Sequence, residues 1–152
     1  IQAKKILNGK IGFVGTPSNL NKTYILELLK KGIVHVISPL GYDKLVNTYN
    51  INADTAAGYV AEKLKAERLI LLTDVVGVLD NKKKLIAALN EKKASKFIKN
   101  GTIKGGMLPK IKTCFNIIKK GVKGVVIIDG RNPNATILEL FTKKGAGTLI
   151  SK

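Results

Sequence analysis

The sequence predicts an α/β fold, a three-layer α/β/α sandwich around a mainly parallel sheet, and three observations predict it. Amphipathic helical stretches alternate with short apolar runs, the order expected of βαβ units. Leu69-Ile70-Leu71-Leu72 and the run from Val125 to Ile128 are apolar at every position, as strands covered on both faces are. The chain of 152 residues has no internal repeat, low-complexity tract or Pro-rich linker, so a single α/β unit over residues 1–152 is expected.

In chain order, Ile25, Leu26, Leu28 and Leu29 fit a helix over 22–31, with Asn21 as N-cap and Gly32 just past its end. Ile33 to Ile37 reads as a strand. Residues 53–64 read as a helix from their alanines and the Ala57, Val60, Ala61, Leu64 stripe, and 69–72 as a buried strand. Gly77 and the Asp80-Asn81 pair make 74–84 a loop or hairpin. A helix over 91–99 stops at Asn100-Gly101. A longer one follows Gly105-Gly106, with Met107, Ile111, Cys114 and Ile118 on one face, and Gly121 ends it. Strand 125–128, helix 134–141 and a closing strand at 148–150 complete the order.

Composition bounds the function. The net charge of +17 suggests binding to polyanions, and a basic nucleic-acid-binding module is the competing class. Of the 27 lysines and arginines, however, only Arg68 and Arg131 are arginine, and lysine lacks the planar fork that reads guanine bidentately. The lysines are spread along the chain, which favours a solvated surface and no specific nucleic acid. No run approaches the roughly 20 apolar residues of a bilayer span, so no membrane role is expected. One cysteine, Cys114, and one histidine, His35, build neither an internal disulfide nor a Cys/His metal site, and no metal ligands are assigned. Cys114 lies in an apolar helical stripe and reads as core. His35, in its strand-like run, reads as a packed or edge histidine at least as readily as a catalytic one. The chain opens Ile1-Gln2-Ala3-Lys4, without Met and without a secretory pattern, so a processed chain or a piece of a longer one is expected.

The chain carries neither a Walker GxxxxGK[ST] loop nor a GxGxxG after a strand, so a nucleotide site must be built otherwise. Open α/β sheets bind ligands outside the carboxyl ends of their strands. That rule singles out Pro39-Leu40-Gly41, Thr73-Asp74 and Asp129-Gly130-Arg131. Thr73 and Asp74 offer a hydroxyl and a carboxylate for a nucleoside, although a turn-capping Asp explains them equally. Asn50, Asn52 and Asp54 alternate before an alanine-rich helix; either Asn52 or Asp54 serves as its N-cap, and three polar groups exceed what one cap needs. The amides suit a ligand carboxylate or acyl carbonyl, while Asp54 suits holding lysines. Gly105-Gly106 let backbone approach a ligand and open a helix whose amides favour anions, and Lys110, one turn in, reaches a transferring phosphoryl group.

These motifs, in this order, resemble the N-acetylglutamate kinases of the amino acid kinase family. The resemblance runs through Gly12-Phe13-Val14-Gly15, Tyr49-Asn50-Ile51-Asn52-Ala53-Asp54-Thr55-Ala56-Ala57, Leu71-Leu72-Thr73-Asp74-Val75-Val76-Gly77-Val78-Leu79, Gly105-Gly106-Met107-Leu108-Pro109-Lys110, Ile128-Asp129-Gly130-Arg131, Glu139-Leu140-Phe141-Thr142 and Gly145-Ala146-Gly147-Thr148. It implies the C-terminal, nucleotide-binding part of the amino acid kinase fold, and transfer of the ATP γ-phosphate to the side-chain carboxylate of N-acetyl-L-glutamate with Mg²⁺, in arginine biosynthesis. An aminoadipate-type acceptor is the nearest alternative. The resemblance implies Lys110 as transition-state stabiliser, Asp54 as organiser of the catalytic lysines, and Asn50 with Asn52 on the acyl amino acid. It places Thr73, Asp74, Val75, Val76, Gly77, Val78, Leu79, Thr102, Ile103, Lys104 and Met107 around the nucleotide. It further implies a cytoplasmic or plastid-stromal enzyme, a homo-oligomer when complete and, in some members, arginine feedback and a PII-type regulator. The family's N-terminal lobe, with its first catalytic lysine, glycine pair and substrate-gripping arginine, is expected to be absent, leaving a chain that binds but does not turn over.

Overall fold

The computed structural model describes residues 1–6 and 11–152 and divides them into two compact units, Ile1–Lys65 and Ala66–Lys152. Each unit carries its own four-stranded sheet, so the α/β class holds while the strands form two sheets instead of one.

In the first unit the strands are β1 (Gln2–Lys5), β2 (Gly15–Asn19), β3 (Leu40–Tyr42) and β4 (Thr48–Asn50), in the order β2-β1-β3-β4. Only β1 and β3 run parallel; β1–β2 and β3–β4 are antiparallel, the first with a register shift at Gln2/Ala3. None of these strands follows from apolar patterning, because Gln2-Ala3-Lys4-Lys5 is polar and Gly15-Thr16-Pro17-Ser18-Asn19 holds residues that strands disfavour. Helices α1 (Lys22–Lys30) and α2 (Ala53–Leu64) stand where the sequence puts them. Asn21 Oδ1 accepts from the Tyr24 N–H at 3.1 Å, and Gly32 leaves α1 at φ +76°. Residues 33–37 form no strand: they carry neither helix nor ladder, and Val34 and Val36 face solvent. A strand-like sequence needs a neighbour with which to share hydrogen bonds, and the described residues supply none there.

The second unit orders its strands β5-β7-β8-β6, where β5 is Arg68–Thr73, β6 Ala88–Leu89, β7 Gly124–Asp129 and β8 Gly147–Ser151. Two of its three pairings are parallel, and the exception is β7–β8. The predicted mainly parallel character therefore belongs to this sheet. Val125, Val126, Ile127 and Ile128 are wholly buried, so both faces of β7 are covered. Helices α3 (Glu91–Lys99), α4 (Met107–Lys119) and α5 (Ala135–Phe141) complete the unit. Ala135 of α5 packs with Val126 and Ile128, while Ile111, Cys114 and Ile118 of α4 are buried on the stripe expected of them. Cys114 is thus core. Asn90 caps α3 through the Lys93 N–H at 2.9 Å, and Gly101 and Gly121 terminate α3 and α4 at positive φ.

Candidate functional site

The two units hold different parts of the predicted chemistry. In the first, strand β4 leads straight into α2, and side chains alternate across it. Tyr49 and Ile51 point inward and form the core with Ala3 and Ala56, so Asn50 and Asn52 are exposed. The backbone at this junction is fixed from two sides: the Asn50 N–H donates to Phe13 O at 2.8 Å, and the Ile51 N–H to Pro39 O at 2.8 Å. Asn52 is the N-cap, its Oδ1 accepting from the Thr55 N–H at 3.1 Å and from the Thr55 hydroxyl at 3.2 Å. That resolves the choice between Asn52 and Asp54. Asp54, half-buried, sits in the first turn, where the helix dipole favours a carboxylate.

Below this junction, Asp43 organises the β3–β4 turn. It accepts from the Leu45 and Asn47 N–H groups and from the Tyr49 hydroxyl at 2.7 Å. The Tyr49 hydrogen bond, followed by Asn47, brings the Asp43 carboxyl down to about 2, and the same contact raises the Tyr49 phenol. A cleft of about 510 Å³ beside this turn is lined by Lys4, Lys5, Tyr42, Asp43, Lys44 and Tyr49 among others, and includes none of Asn50, Asn52 and Asp54.

In the second unit, β5 and β7 end together, with Thr73 opposite Asp129 in the ladder. The Thr73 hydroxyl is occupied by its own turn: it accepts from the Val75 N–H at 3.2 Å and donates to Val75 O at 3.0 Å. Asp74 and Val76 are exposed beyond it, and Val75 is half-buried. Gly77 and Val78 instead turn into the unit. Gly77 has φ +130°, and a Cβ there would lie 2.7 Å from both Leu85 Cδ1 and Thr148 Oγ1. The Val78 N–H donates to that buried Thr148 hydroxyl at 2.9 Å, while Leu79 bridges to Leu85. Gly77, Val78 and Leu79 therefore shape the loop, and Asp74 and Val76 are its solvent face.

Thr102 bonds both Asn81 and Asn100 at 2.8 Å, stitching the 80–84 turn to the end of α3. Ile103 is buried and Lys104 exposed. Gly105 has φ +56°, and the space beside Gly105 and Gly106 is open. No side chain caps α4 at Gly106; the Leu108 N–H donates to Gly105 O at 3.2 Å and Pro109 has no N–H, which leaves the Met107 N–H of the first turn to face an anion. Met107 and Lys110 follow in that first turn, both half-buried.

The sequence marks Asp129-Gly130-Arg131 at this end of the sheet, but not how its side chains pair. Arg131 clamps Asp129 with Nε to Oδ1 at 2.9 Å, Nη2 to Oδ2 at 2.8 Å and its own N–H to Oδ1 at 3.0 Å. This fork takes Asp129 to about 2, and Asp74 adds to the rise of Arg131. The spacing Asp-x-Arg at a strand exit was the available signal. The other arginine, Arg68, reaches buried Glu139 at 3.5 Å, whose second oxygen accepts from the Ala146 N–H at 2.8 Å. Both arginines thus have carboxylate partners within the chain.

The profile of the amino acid kinase family matches residues 1–129. The chain belongs to the amino acid kinase family. Among curated members it is 52% identical over 143 residues to the acetylglutamate kinase of Pelagibacter ubique, covering 94% of this chain and 50% of that one. To the acetylglutamate kinase of Rhodopseudomonas palustris it is 52% identical over 142 residues, 93% of this chain and 48% of the other. The chain spans about half the length of the curated relatives it matches. Among solved structures it superposes on N-acetylglutamate synthase from Neisseria gonorrhoeae with a TM-score of 0.89 at 25% identity, over 99% of this chain and 36% of the other. Carbamate kinase from Giardia lamblia, bound to AMP-PNP, shares the fold at a TM-score of 0.62 and 20% identity, over 91% of this chain and 47% of that one. No helix among the described residues is long and apolar enough to cross a membrane.

Proposed function

We propose that this chain is the ATP-binding part of an acetylglutamate kinase, and that the complete enzyme phosphorylates the side-chain carboxylate of N-acetyl-L-glutamate in arginine biosynthesis. The observation that carries the reading is the 52% identity to acetylglutamate kinases over 94% of the chain. Those relatives favour N-acetyl-L-glutamate over an aminoadipate-type acceptor, and being bacterial they favour the cytoplasm over a plastid.

In the reaction, an oxygen of the acceptor carboxylate bonds to the γ-phosphorus of ATP as the bond to the β–γ bridging oxygen breaks, and ADP leaves with that electron pair. The protein must position the two and offset growing negative charge. The Lys110 ammonium and the Met107 N–H at the start of α4 supply the offset at the phosphoryl group, with Gly105-Gly106 letting the phosphates come close. Asp74, Val76, Lys104 and Met107 face the nucleotide, with Thr73, Val75, Gly77, Val78, Leu79, Thr102 and Ile103 shaping the walls. Asn50 holds the acyl amino acid beside Asn52, whose main duty is the helix cap, and Asp54 organises cationic side chains. Among the described residues no group of three or more His, Cys, Asp and Glu side chains can hold a metal ion. Mg²⁺ would therefore be bound chiefly by nucleotide phosphates and water, and would neutralise phosphate charge.

The test is Lys110→Ala in the complete enzyme. Because the charge it opposes grows in the transition state, kcat should fall by about 100- to 1,000-fold with little change in the KM for ATP. Lys110→Arg should recover little, since the guanidinium is longer and planar. Turnover near the unaltered enzyme's would refute the role.

A further inference from the structure

Asp74, Val75 and Val76 lie between two threonine hydroxyls. On one side the Thr73 hydroxyl bonds the N–H and the carbonyl of Val75, at 3.2 and 3.0 Å. On the other, the Val78 N–H donates to Thr148 Oγ1 at 2.9 Å. Thr73 belongs to the turn itself, but Thr148 reaches it from β8, 70 residues along the chain from Val78. Thr148 is wholly buried, and its backbone stands opposite Ile127 in the β7–β8 ladder. The ladder needs nothing from the hydroxyl, since valine suits a strand position as well as threonine does. A buried hydroxyl is costly unless it is hydrogen-bonded, and the Val78 N–H bonds it.

The contact has little slack. Gly77 passes so close that a Cβ on it would lie 2.7 Å from Thr148 Oγ1, and the Val78 carbonyl accepts from the Ile86 N–H at 2.8 Å. Beside it the Leu149 N–H donates to Ala87 O at 2.8 Å. Residues 78 and 87 are thus both fastened to β8, the first through a side chain and the second through the backbone. We propose that Thr148 is a positioning residue of the nucleotide site: its hydroxyl fixes the far end of the 74–76 span, so that Asp74 and Val76 meet the nucleotide in one conformation. This rests on the nucleotide reading of that span given above. Without the hydroxyl, the Val78 N–H loses its acceptor and the span keeps only its anchor at Thr73. Nucleotide binding must then order the span as well, which weakens it. The loss falls on binding and not on the chemical step, because Thr148, wholly buried, touches no reacting group.

The test compares Thr148→Val, which keeps the shape and removes the hydroxyl, with Thr148→Ser, which keeps the hydroxyl. Titrated with Mg²⁺ and AMP-PNP, the Thr148→Val chain should bind about 5- to 10-fold more weakly than the unaltered chain, and the Thr148→Ser chain within about 2-fold of it. In the complete enzyme, Thr148→Val should raise the KM for ATP by a similar factor and leave kcat within about 2-fold, a split that mere loss of folded protein would not give. Equal AMP-PNP affinity in the Thr148→Val chain would overturn the proposal, as would a fall in kcat with the KM unchanged. If the unaltered chain binds no AMP-PNP, the nucleotide reading itself fails and this proposal with it. If Thr148→Val does not fold, the unaltered chain decides: AMP-PNP should slow amide exchange at Val78 as well as at 74–76, because the two are linked. Exchange at Val78 left unchanged while 74–76 slow would overturn the proposal.

Discussion

Val125 to Ile128 and Ile33 to Ile37 are both apolar, strand-like runs, yet the first is wholly buried at the centre of a sheet and the second exposes Val34 and Val36 to water. The difference lies in their neighbours. Strand β7 has β5 on one side and β8 on the other, with α5 against Val126 and Ile128. The 33–37 run has tethers but no backbone partner strand among the described residues. The two units differ in the same sense. The first rests on a small core of Ala3, Tyr49, Ile51 and Ala56 and exposes Phe13, Leu45 and Val46 besides, whereas the second buries its whole central strand. Apolar sequence supplies the demand for burial, and the surrounding chain decides whether it is met.

The largest effect expected from that contrast comes from truncating the two runs. Ile127→Ala removes a fully buried side chain and should cost about 2–5 kcal/mol in urea unfolding, whereas Val36→Ala in this chain should stay within about 0.5 kcal/mol. Equal costs would break the comparison.

A smaller loss, about 1–3 kcal/mol, should follow Gly77→Ala. The residue would sit at φ +130° with its Cβ against Leu85 and Thr148, and the Val78–Thr148 hydrogen bond would be disturbed. An unchanged unfolding midpoint would show that the 75–79 loop is not fixed by this contact.

The smallest effect is in pH. Asp43 and Asp129 are both lowered to about 2 when folded, so the stability they add is complete above the usual carboxylate range near 4 and is lost as pH falls towards 2. Tyr49 is raised, so its share is complete below the usual tyrosine value near 10 and is lost as pH rises beyond it. Asp43→Asn should flatten the acid limb for the first unit and Asp129→Asn for the second. If neither does, the hydrogen bonds to these carboxylates contribute nothing to folding.

The sequence carried the helices and three of the four strands of the second sheet plainly, but not the two-residue β6, Ala88–Leu89. Asn21, Asn52 and Asn90 each cap the helix that follows, and the runs 69–72 and 125–128 lie in β5 and β7. The first sheet was illegible because its strands are short and polar, and their pairing depends on register and turns, such as Asp43 gathering Leu45, Asn47 and Tyr49, that local composition does not encode. At the candidate site, the alternation Tyr49, Asn50, Ile51, Asn52 follows from strand periodicity. That Thr73 spends its hydroxyl on its own turn, and that Arg131 folds back onto Asp129, required coordinates, because each depends on side-chain direction at a strand end.

The central claim, that this chain carries the nucleotide side of the reaction, is tested most directly by titrating it with Mg²⁺ and AMP-PNP while following amide exchange residue by residue. Weak binding is predicted, with slowed exchange at 74–76 and over 102–110 and no change at 33–37. An absence of binding, or changes confined to the first unit, would contradict it.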